Sequence, residues 1–445
     1  MTSILMVIIG IVVLGVLVLI HELGHFLVAK WCGIKVLAFS IGFGKPLLKK
    51  TIGDTEYRLS SIPFGGYVKM AGENPEDETS TGAADDFQSK PVWQRILVAV
   101  AGPTANFIAA FLMLWFVYIW GVARPLYCEV PILGAVSDSS SAQKAGLRAG
   151  DSLVAINGKQ IVSWDDIEAA FVQQKQEYVV TYSRGNSTFD ATVKPEQSGS
   201  GLPKHPLGGM LPPLPAIVAD VNPESPASKA GVLAGDSVVS INGEKIYSWF
   251  QMLGIIDSWK PGKPLEFVVA RGSGLETMSI EPQYNDEAKR RLVGIRVGEG
   301  KSRTIRYSPV ESISKAAEKS VEYTVMIFDV IGKLVSREVS ANQLSGPIGI
   351  IPASGFMLFQ GLSPLLNFMA LIGINLAVLN LMPLVITDGG LIFFLILEAI
   401  RGKPLSIKTQ ILINKIAIMF FLLLFLFVTF NDFRRLPEYF RIFGK

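Results

Sequence analysis

Three residues near the N-terminus have the types and spacing of a zinc-dependent catalytic motif. His21 and His25 stand four residues apart, and Glu22 follows the first histidine. On a helix this spacing puts both imidazoles on one face, where they can bind one Zn²⁺, and sets the carboxylate beside them to act on water. The alternative is that these side chains cap a helix at a membrane interface. Because the motif ends an apolar run, where ionisable groups are costly and usually functional, we favour the metal site.

A catalytic zinc site needs a third protein ligand as well as an open position for water. The chain has only three histidines, and His205 lies in a segment that we expect on the opposite side of the membrane. The third ligand is therefore an acidic residue or a cysteine. Asp388 is the candidate, because it is the one carboxylate deep within an apolar segment; it can also serve as the N-cap of a helix over 389–400. We interpret Glu398 as an interfacial charge.

The composition predicts a polytopic membrane protein. Of its 445 residues, 49% are hydrophobic and 18% are charged, whereas about 25% charged residues is usual in soluble domains. Apolar stretches long enough to cross a bilayer, which takes about 20 helical residues, cover 4–29, 93–121, 365–400 and 411–430. The first has no charged leading region and no cleavage site, so we interpret it as a retained span. A net charge of +3 without a dense basic patch argues against nucleic acid as a partner.

The third apolar stretch is interrupted, which predicts a broken helix. Asn380, Pro383 and the Asp-Gly-Gly of 388–390 lie within it. Non-helical backbone at membrane depth is tolerated only where protein or a polar cavity satisfies its hydrogen bonds. The break therefore marks a candidate site.

Basic residues near the span ends predict the orientation of the chain. They follow the first span and occupy the loop between the last two, which places both loops in the cytoplasm and residues 122–360 outside it. These residues are Lys30, Lys35, Lys45, Lys49, Lys50, Arg401, Lys403 and Lys408. The histidine motif then lies toward the cytoplasmic side.

A sequence repeat occupies the external segment. Residues 144–158 recur at 229–243, an offset of 85 residues. Each copy predicts a short helix ending at glycine, a Gly-Asp turn, an apolar strand and an Asn-Gly hairpin turn. The repeated pattern resembles that of bacterial PDZ domains.

We therefore expect six segments. Residues 1–121 hold the first two spans and a cytoplasmic-side β-hairpin loop, and 363–445 hold the last two spans and a C-terminal tail. PDZ-like domains at 122–200 and 216–300 flank a Pro/Gly-rich linker at 201–215. Residues 301–362 form an amphipathic helical connector, in which 312–335 lies along the membrane or on its neighbours rather than crossing as a fifth span.

Motifs at 21–25, 102–106 and 380–390 carry a resemblance that covers almost the whole chain. Together they are similar to the site-2 protease family of intramembrane zinc metalloproteases. The resemblance implies an α-helical membrane protein with four spans, the third broken, a membrane-associated β-hairpin and two extracytoplasmic PDZ-like α+β domains. It also implies a location in the bacterial cytoplasmic (inner) membrane.

The resemblance further implies functional roles for the motif residues. His21, His25 and Asp388 would be the zinc ligands, and Glu22 would be the catalytic base. The motifs that contain Asn106 and Asn380 would lie near the active site. The chain departs from the family pattern at Val385, where a proline is usual, and at Thr387, where a leucine is usual.

The sequence leaves two alternative roles for Asn380 and two for the β-hairpin. Asn380 can donate a hydrogen bond to a tetrahedral oxyanion, or it can be a polar contact at the helix break. Glycine-interrupted strands at 39–44 and 56–70 can present an edge to an unwound substrate, or they can form a hairpin without a substrate role.

The resemblance implies proteolysis of single-span membrane proteins in contact with membrane lipid. Anti-sigma factors and leftover signal peptides are the implied substrate classes, with an upstream site-1 protease trimming some of them first. The alternative function is a PDZ-bearing membrane scaffold whose metal site is degenerate, which only Val385 and Thr387 favour.

Overall fold

The computed structural model describes residues 2–73, 82–171, 176–195, 207–285, 290–298, 300–336, 346–384, 387–403 and 405–443. The chain divides into two compact units. One unit comprises Met1–Val122 and Arg306–Lys445 and is mainly helical; the other comprises Ala123–Ile305 and is rich in β-strands. His205 lies outside the described residues.

The helices have the following bounds: α1 Thr2–Trp31, α2 Val92–Trp120, α3 Ser141–Lys144, α4 Trp164–Phe171, α5 Pro226–Lys229, α6 Trp249–Ser258, α7 Pro309–Val335, α8 Pro347–Gln360, α9 Leu362–Leu381, α10 Asp388–Arg401 and α11 Ile407–Phe443. The strands are β1 Val36–Ile52, β2 Thr55–Met70, β3 Val122–Pro125, β4 Ala135–Val136, β5 Ser152–Ile156, β6 Lys159–Gln160, β7 Tyr178–Arg184, β8 Ser187–Val193, β9 Met210–Leu211, β10 Val218–Val221, β11 Ser237–Ile241, β12 Glu244–Lys245, β13 Leu265–Arg271, β14 Gly274–Ile280, β15 Gln283–Asn285, β16 Arg290–Leu292, β17 Ile295–Val297 and β18 Ser302–Ile305.

Four helices within the described residues are long and apolar enough to cross a membrane. They cover Ile4–Trp31, Val92–Trp120, Leu362–Leu381 and Thr409–Arg434. The predicted third stretch, 365–400, is broken as expected: α9 ends at Leu381, and α10 begins only at Asp388. Pro383 lies within the six-residue interruption, where it removes a backbone N–H and favours the break, while Asn380 and Asp388 lie on the helices at its two ends.

Close helix contacts surround the histidine motif because small residues face one another there. A side chain at Gly24 would place its Cβ 2.4 Å from the Ala101 carbonyl and 2.8 Å from the Ala105 methyl group. The backbones of α1 and α2 can therefore approach closely, as small residues allow in membrane helix pairs. α2 also packs extensively against α9, so it forms the centre of this unit.

The connector contains two helices, of which the sequence predicted one. α7 agrees with the amphipathic helix expected at 312–335 and begins with a capping box between Ser308 and Glu311. Its buried residues Tyr323 and Ile327 pack against α2 and α9. α8 was not predicted separately; it is an apolar helix of 14 residues that packs against α1 where glycine allows close approach, with Gly355 facing the backbone of α1.

β1 and β2 form an irregular antiparallel hairpin between α1 and α2. The segment 38–41 pairs with 66–69 and also with 56–59. It therefore lies inside the sheet, while 66–69 forms a border strand. Because glycines stand at positions 42, 44, 65 and 66, the long strands can bend back over the helices.

The two sequence repeats fold alike within the β-rich unit. The first has the strand order β6-β5-β7-β8, and the second has the equivalent order β12-β11-β13-β14. The predicted Asn-Gly turns are present, with positive φ angles of 48° at Asn157 and 51° at Asn242. Each repeat has its own core, built around Trp164 in the first and Phe267 in the second.

The repeated Gly-Asp pair has a structural role that the sequence did not predict. Asp151 accepts two hydrogen bonds of 2.7 Å from Arg184, and Asp236 is held in the same way by Arg271. Hydrogen bonding from Arg271 lowers the pKa of the Asp236 carboxyl. The carboxylate thus ties the turn to the end of an inner strand, β7 in the first repeat and β13 in the second.

The expected linker at 201–215 is packed in its second half rather than extended. β9 pairs with β4 of the first repeat, and Met210 is fully buried in that repeat's core. Beyond the linker, the Ser248 hydroxyl donates a 2.8 Å hydrogen bond to the Gly134 carbonyl. Apolar burial and this direct contact join the two repeats within the unit.

Candidate active site

The three predicted metal ligands converge although more than 360 positions separate the histidines from the aspartate in the sequence. Nε2 of His21 lies 3.1 Å from Oδ2 of Asp388, and Nε2 of His25 lies 3.4 Å from Oδ1. The two Nε2 atoms are 3.2 Å apart. One ligand atom from each residue therefore falls within 4.8 Å of the others. Such a cluster can hold one metal ion with these atoms around it.

His25 is oriented toward this cluster by α2. Its Nδ1 donates a 2.8 Å hydrogen bond to the carbonyl of Val98. The neutral ring then carries its proton on Nδ1 and leaves Nε2 free as a metal ligand, which is the usual outer support of a metal-binding histidine. A side chain at Gly102 would place its Cβ 2.3 Å from Nε2. The glycine of the 102–106 motif thus makes room for the imidazole.

Asn106 stands beside the other histidine. Its amide nitrogen lies 3.4 Å from Nδ1 of His21, and its Oδ1 is buried without a hydrogen bond within the described part of the chain. A half-turn of the amide would place Oδ1 next to Nδ1. His21 would then donate from Nδ1 to Asn106 and present Nε2 to the metal, as His25 does.

The Asp388 carboxylate is suited to a cation rather than to further protein donors. Oδ2 is buried, and no N–H or O–H of the described residues donates to it with hydrogen-bond geometry. Two imidazole nitrogens instead approach the two carboxylate oxygens closely. A buried acceptor without a donor is destabilising unless a metal ion occupies the space. The nitrogen and oxygen donor set fits Zn²⁺.

The turn before Asp388 is closed by Thr387. Its hydroxyl donates to the carbonyls of Met382, at 2.9 Å, and Leu384, at 2.8 Å. Thr387 occupies the N-cap position and Asp388 is the first residue of α10, so the expected N-cap role of Asp388 is wrong. The carboxylate is free for the cluster because its neighbour closes the turn. Val385 lies outside the described residues.

A cavity of about 350 Å³ opens next to the ligand cluster. Glu22 and Asn380 both line it. The remaining lining residues are Val18, His21, Phe43, Gly65, Gly66, Asn106, Leu376, Thr387 and Asp388. The border strand of the hairpin therefore reaches the same space as the predicted base and the predicted metal ligands.

Comparison with known proteins identifies the family. The model of Peptidase family M50 matches residues 9–424. This chain belongs to Peptidase family M50, the site-2 protease family. Its relatives include Protease RseP of Yersinia pestis, which is 35% identical over 446 residues, covering 96% of this chain and 98% of the relative. The regulator of sigma-E protease RseP of Escherichia coli strain K12 is 34% identical over 448 residues, with the same coverage.

A third relative is described as a putative zinc metalloprotease. It comes from Pasteurella multocida and is 34% identical over 443 residues, covering 96% of this chain and 98% of the relative. Among solved structures, a PDZ domain of an SdrC-like protein from Listeria monocytogenes covers 19% of this chain at 24% identity, with a TM-score of 0.17; a likeness at that level does not establish a fold.

Membership of family M50 makes the chain a metalloendopeptidase of the site-2 protease type. It is a membrane protein with several apolar helices. The scaffold alternative, which rested on Val385 and Thr387, is not supported, since the ligand cluster is complete in the presence of Thr387.

Two residues near this M50 site were missed by the sequence analysis. Glu73 follows the border strand and lines a smaller cavity of about 170 Å³ together with Glu22 and His25; partial removal from water raises the pKa of its carboxyl. Arg95 is buried beside the end of α10 and forms an ion pair with Glu398. Glu398 is thus not a free interfacial charge. A basic residue at the start of an apolar helix was the available signal for Arg95.

Proposed function

We propose that the chain hydrolyses peptide bonds within transmembrane segments of other membrane proteins, as an intramembrane zinc metalloprotease. The observation that carries this proposal is the meeting of Asp388 with His21 and His25 beside a cavity that also contains Glu22. A cavity reached by an edge strand has room for a backbone segment as well as for water. The carboxylates of Glu22 and Asp388, which can accept protons, and the side-chain amides of Asn106 and Asn380, which can donate hydrogen bonds, line that space.

The proposed metal site consists of His21, His25 and Asp388. These residues would hold a zinc ion, and the chemistry supplied there would be Lewis acidity, for activation of water and polarisation of the scissile carbonyl. Glu22 lies next to His21 on α1 and faces the same cavity. Its carboxylate accepts the proton of the attacking water and returns a proton to the leaving amine.

Asn380 is proposed to bind the oxyanion that develops on the scissile carbonyl. It lies near the end of α9 and lines the cavity together with Glu22. An amide N–H donor in a site sheltered from water can stabilise such a charge by several kcal/mol, about 3 in well-studied proteases. The alternative role, a polar contact that only satisfies the helix break, predicts a normal turnover number for Asn380→Ala.

The border strand at 66–69 is proposed to bind the substrate backbone. A transmembrane helix satisfies its own backbone hydrogen bonds, so its peptide bonds are accessible only after local unwinding. Gly65 and Gly66 line the cavity next to Glu22, and segment 38–41 covers the other side of this strand. An unwound segment can therefore add to the exposed edge as a further strand.

The proposed topology has four spans, two PDZ-like domains outside the cytoplasm and an active site toward the cytoplasmic side of the bacterial inner membrane. Four long apolar helices support the span count. The basic residues that follow the first span and occupy the loop between the last two spans support the orientation. The shared strand order of the two repeats supports paired domains of one fold.

The proposed substrates are single-span membrane proteins, namely an anti-sigma factor, signal-peptide remnants, or both. Two relatives are named for regulation of sigma-E, and that name supports the first class. For a substrate with a folded external domain, an upstream protease would make the first cut. Lipid surrounds the exposed faces of the spans in this proposal.

Substitution of Glu22 tests the function directly. Glu22→Gln keeps the side-chain shape and removes the base, so we expect cleavage of a single-span substrate to fall by at least about 100-fold. Bound zinc should stay at the wild-type level, because Glu22 is not among the ligands. Turnover comparable with the wild type in a zinc-loaded Glu22→Gln protein would contradict the proposal.

A further inference from the structure

Arg95 and Glu398 form a two-point ion pair between α2 and α10. Nη2 of Arg95 lies 2.5 Å from Oε1 of Glu398, and Nη1 lies 3.2 Å from Oε2. Arg95 is 5% exposed, so its charge is almost completely removed from bulk water. Burying a charged pair is costly, and such a pair is weak evidence for stability alone. Its two parallel hydrogen bonds do fix the relative position of the groups they join.

Glu398 lies on the face of α10 that begins with the proposed zinc ligand. Asp388, Leu391, Leu395 and Glu398 follow one another at intervals of three, four and three residues, which keeps them on one side of a helix. Leu395 is buried, and Leu391 packs against the cluster that includes Val98 of α2. This face of α10 is therefore its contact with α2. Over ten residues the helix rises about 15 Å. Because α10 is a continuous helix over this distance, a constraint on the position of Glu398 also constrains the position of Asp388.

Arg95 is itself held in place by its remaining donors. Its Nε donates to the carbonyl of Lys90 at 3.1 Å, and Nη1 also donates to Oε1 of Gln88 at 3.1 Å. The Gln88 side chain in turn donates to the Glu73 carbonyl at 3.2 Å. The guanidinium thus connects α10 to the segment that leads from the hairpin into α2. It has little freedom to follow Glu398 if α10 moves.

The same turn of α2 supports the histidine ligands. Val98, three residues after Arg95, accepts the hydrogen bond from His25. One turn of α2 therefore holds α1 through Val98 and α10 through Arg95. The two parts of the ligand cluster come from these two helices, and α2 is the element that they share.

We propose that Arg95 and Glu398 are a positioning pair that sets the height and rotation of α10 and so holds Asp388 in the metal site. The proposal rests on the proposed zinc site. Neither residue lines the main cavity, so we expect the pair to act through α10 without touching substrate. A one-residue slip of α10 would move Asp388 by about 1.5 Å and turn it by about 100°. A functional site tolerates only about 0.5 Å of such displacement.

Zinc retention in the full-length protein tests the pair. The variants are Glu398→Gln, Arg95→Met and the charge exchange Arg95→Glu with Glu398→Arg. The control is Asp329→Asn, which breaks the exposed ion pair of Lys333 with Asp329 on α7. The rate of zinc loss to an excess of chelator is measured for each protein, together with kcat and KM on one single-span substrate.

We expect each single variant to lose zinc at least about tenfold faster than the wild type, as for other outer supports of metal ligands. In zinc-saturated protein, kcat should fall while KM stays within about twofold, because the site and not the substrate surface is disturbed. The charge exchange should recover a large part of the zinc retention. Asp329→Asn should match the wild type in both measurements.

Two results would overturn the positioning role. One is zinc loss from Glu398→Gln and Arg95→Met at the wild-type rate. The other is a charge exchange that melts at the wild-type temperature but loses zinc as fast as the single variants. A wild-type protein that binds no zinc would instead contradict the proposed function. If a single variant does not fold, the charge exchange and the other single variant still decide between these outcomes.

Discussion

At the scale of single residues, the position of the proposed ligand Asp388 depends on a turn that Thr387 closes. The chain cannot form helical hydrogen bonds between α9 and α10, which leaves carbonyls of the turn without helical partners. The Thr387 hydroxyl donates to two of them, at Met382 and Leu384. It adds to the backbone N–H groups of Leu384 and Thr387, which also donate to these two carbonyls.

We predict that Thr387→Val weakens zinc binding by about 2- to 10-fold. Valine keeps the shape of threonine but loses the single hydroxyl proton that the two carbonyls share, a hydrogen bond that contributes about 1 kcal/mol. Thr387→Ser should retain most of the affinity. The control is Thr324→Val on α7, where the hydroxyl also donates to a backbone carbonyl, that of Ser320. Equal zinc affinity of Thr387→Val and the wild type would show that contacts other than the Thr387 hydroxyl hold the turn before Asp388.

The candidate site residues could be predicted from the sequence where few residue types can bind a metal and few of them occur in the apolar segments. His21, Glu22 and His25 follow from spacing, and Asp388 follows from the scarcity of carboxylates within the apolar segments. The roles of Val98, Thr387 and Arg95 were not predictable. Val98 contributes only its carbonyl, which every residue has. Thr387 acts through a turn geometry that its neighbours determine, and the partner of Arg95 is 303 residues away.

At the scale of elements, the crossing of α1 and α2 depends on residues without side chains. Gly24 lies against the backbone of α2, and Gly102 lies against the ring of His25. The sequence motifs that contain these glycines are thus two halves of one contact. The motif at 102–106 contributes close packing as well as the amide of Asn106.

We predict that Gly102→Ala displaces the His25 ring and lowers zinc affinity at least about tenfold. The added Cβ would lie 2.3 Å from Nε2, and the backbone of α2 cannot withdraw without losing its contact with α1. The control is Gly332→Ala on α7, where a Cβ would meet nothing within 4 Å. Zinc affinity is measured by competition with a chelator of known strength. Unchanged affinity in Gly102→Ala would show that the contact is adjustable.

The sequence predicted elements well where periodicity and composition act locally. The four long apolar helices, α7 and the Asn-Gly turns overlap the segments in which they were expected. It predicted less well where tertiary contacts decide. α8 is an apolar helix too short to be recognised as a span, and its packing against α1 through Gly355 depends on the fold. The end of the expected linker forms β9 by pairing with β4. Because β4 lies 75 residues earlier in the sequence, no local pattern predicts this strand.

At the scale of the whole molecule, the paired repeats suggest control of access to the site. Ser248 of the second repeat bonds to Gly134 of the first, and Met210 of the connecting segment is buried. Two domains joined in this way can act as one bulky body. We propose that they exclude substrates with large external domains, whereas the alternative is that their grooves bind an exposed C-terminus or strand.

We predict that deletion of residues 131–290 admits substrates that the intact protein rejects. One transmembrane segment is offered with either a short external tail or a folded external domain, and cleavage of the two is compared. The intact protein should prefer the short tail, and the deletion variant should cleave both. A groove that binds a ligand would instead respond to blocking that groove and ignore substrate bulk. If the deletion variant still rejects the bulky substrate as strongly as the intact protein, the proposal that the two repeats exclude substrates by size is contradicted.

The zinc content of purified full-length protein tests the central claim most directly. His21, His25 and Asp388 are the only group of three such ligands that meet within the described residues. We predict about one zinc per chain in the wild type, measured by elemental analysis against protein concentration. Asp388→Ala should lose most of that zinc, while Asp329→Asn on the surface of α7 should keep it. Full zinc occupancy in Asp388→Ala would contradict the account, because the aspartate would then not belong to the metal site.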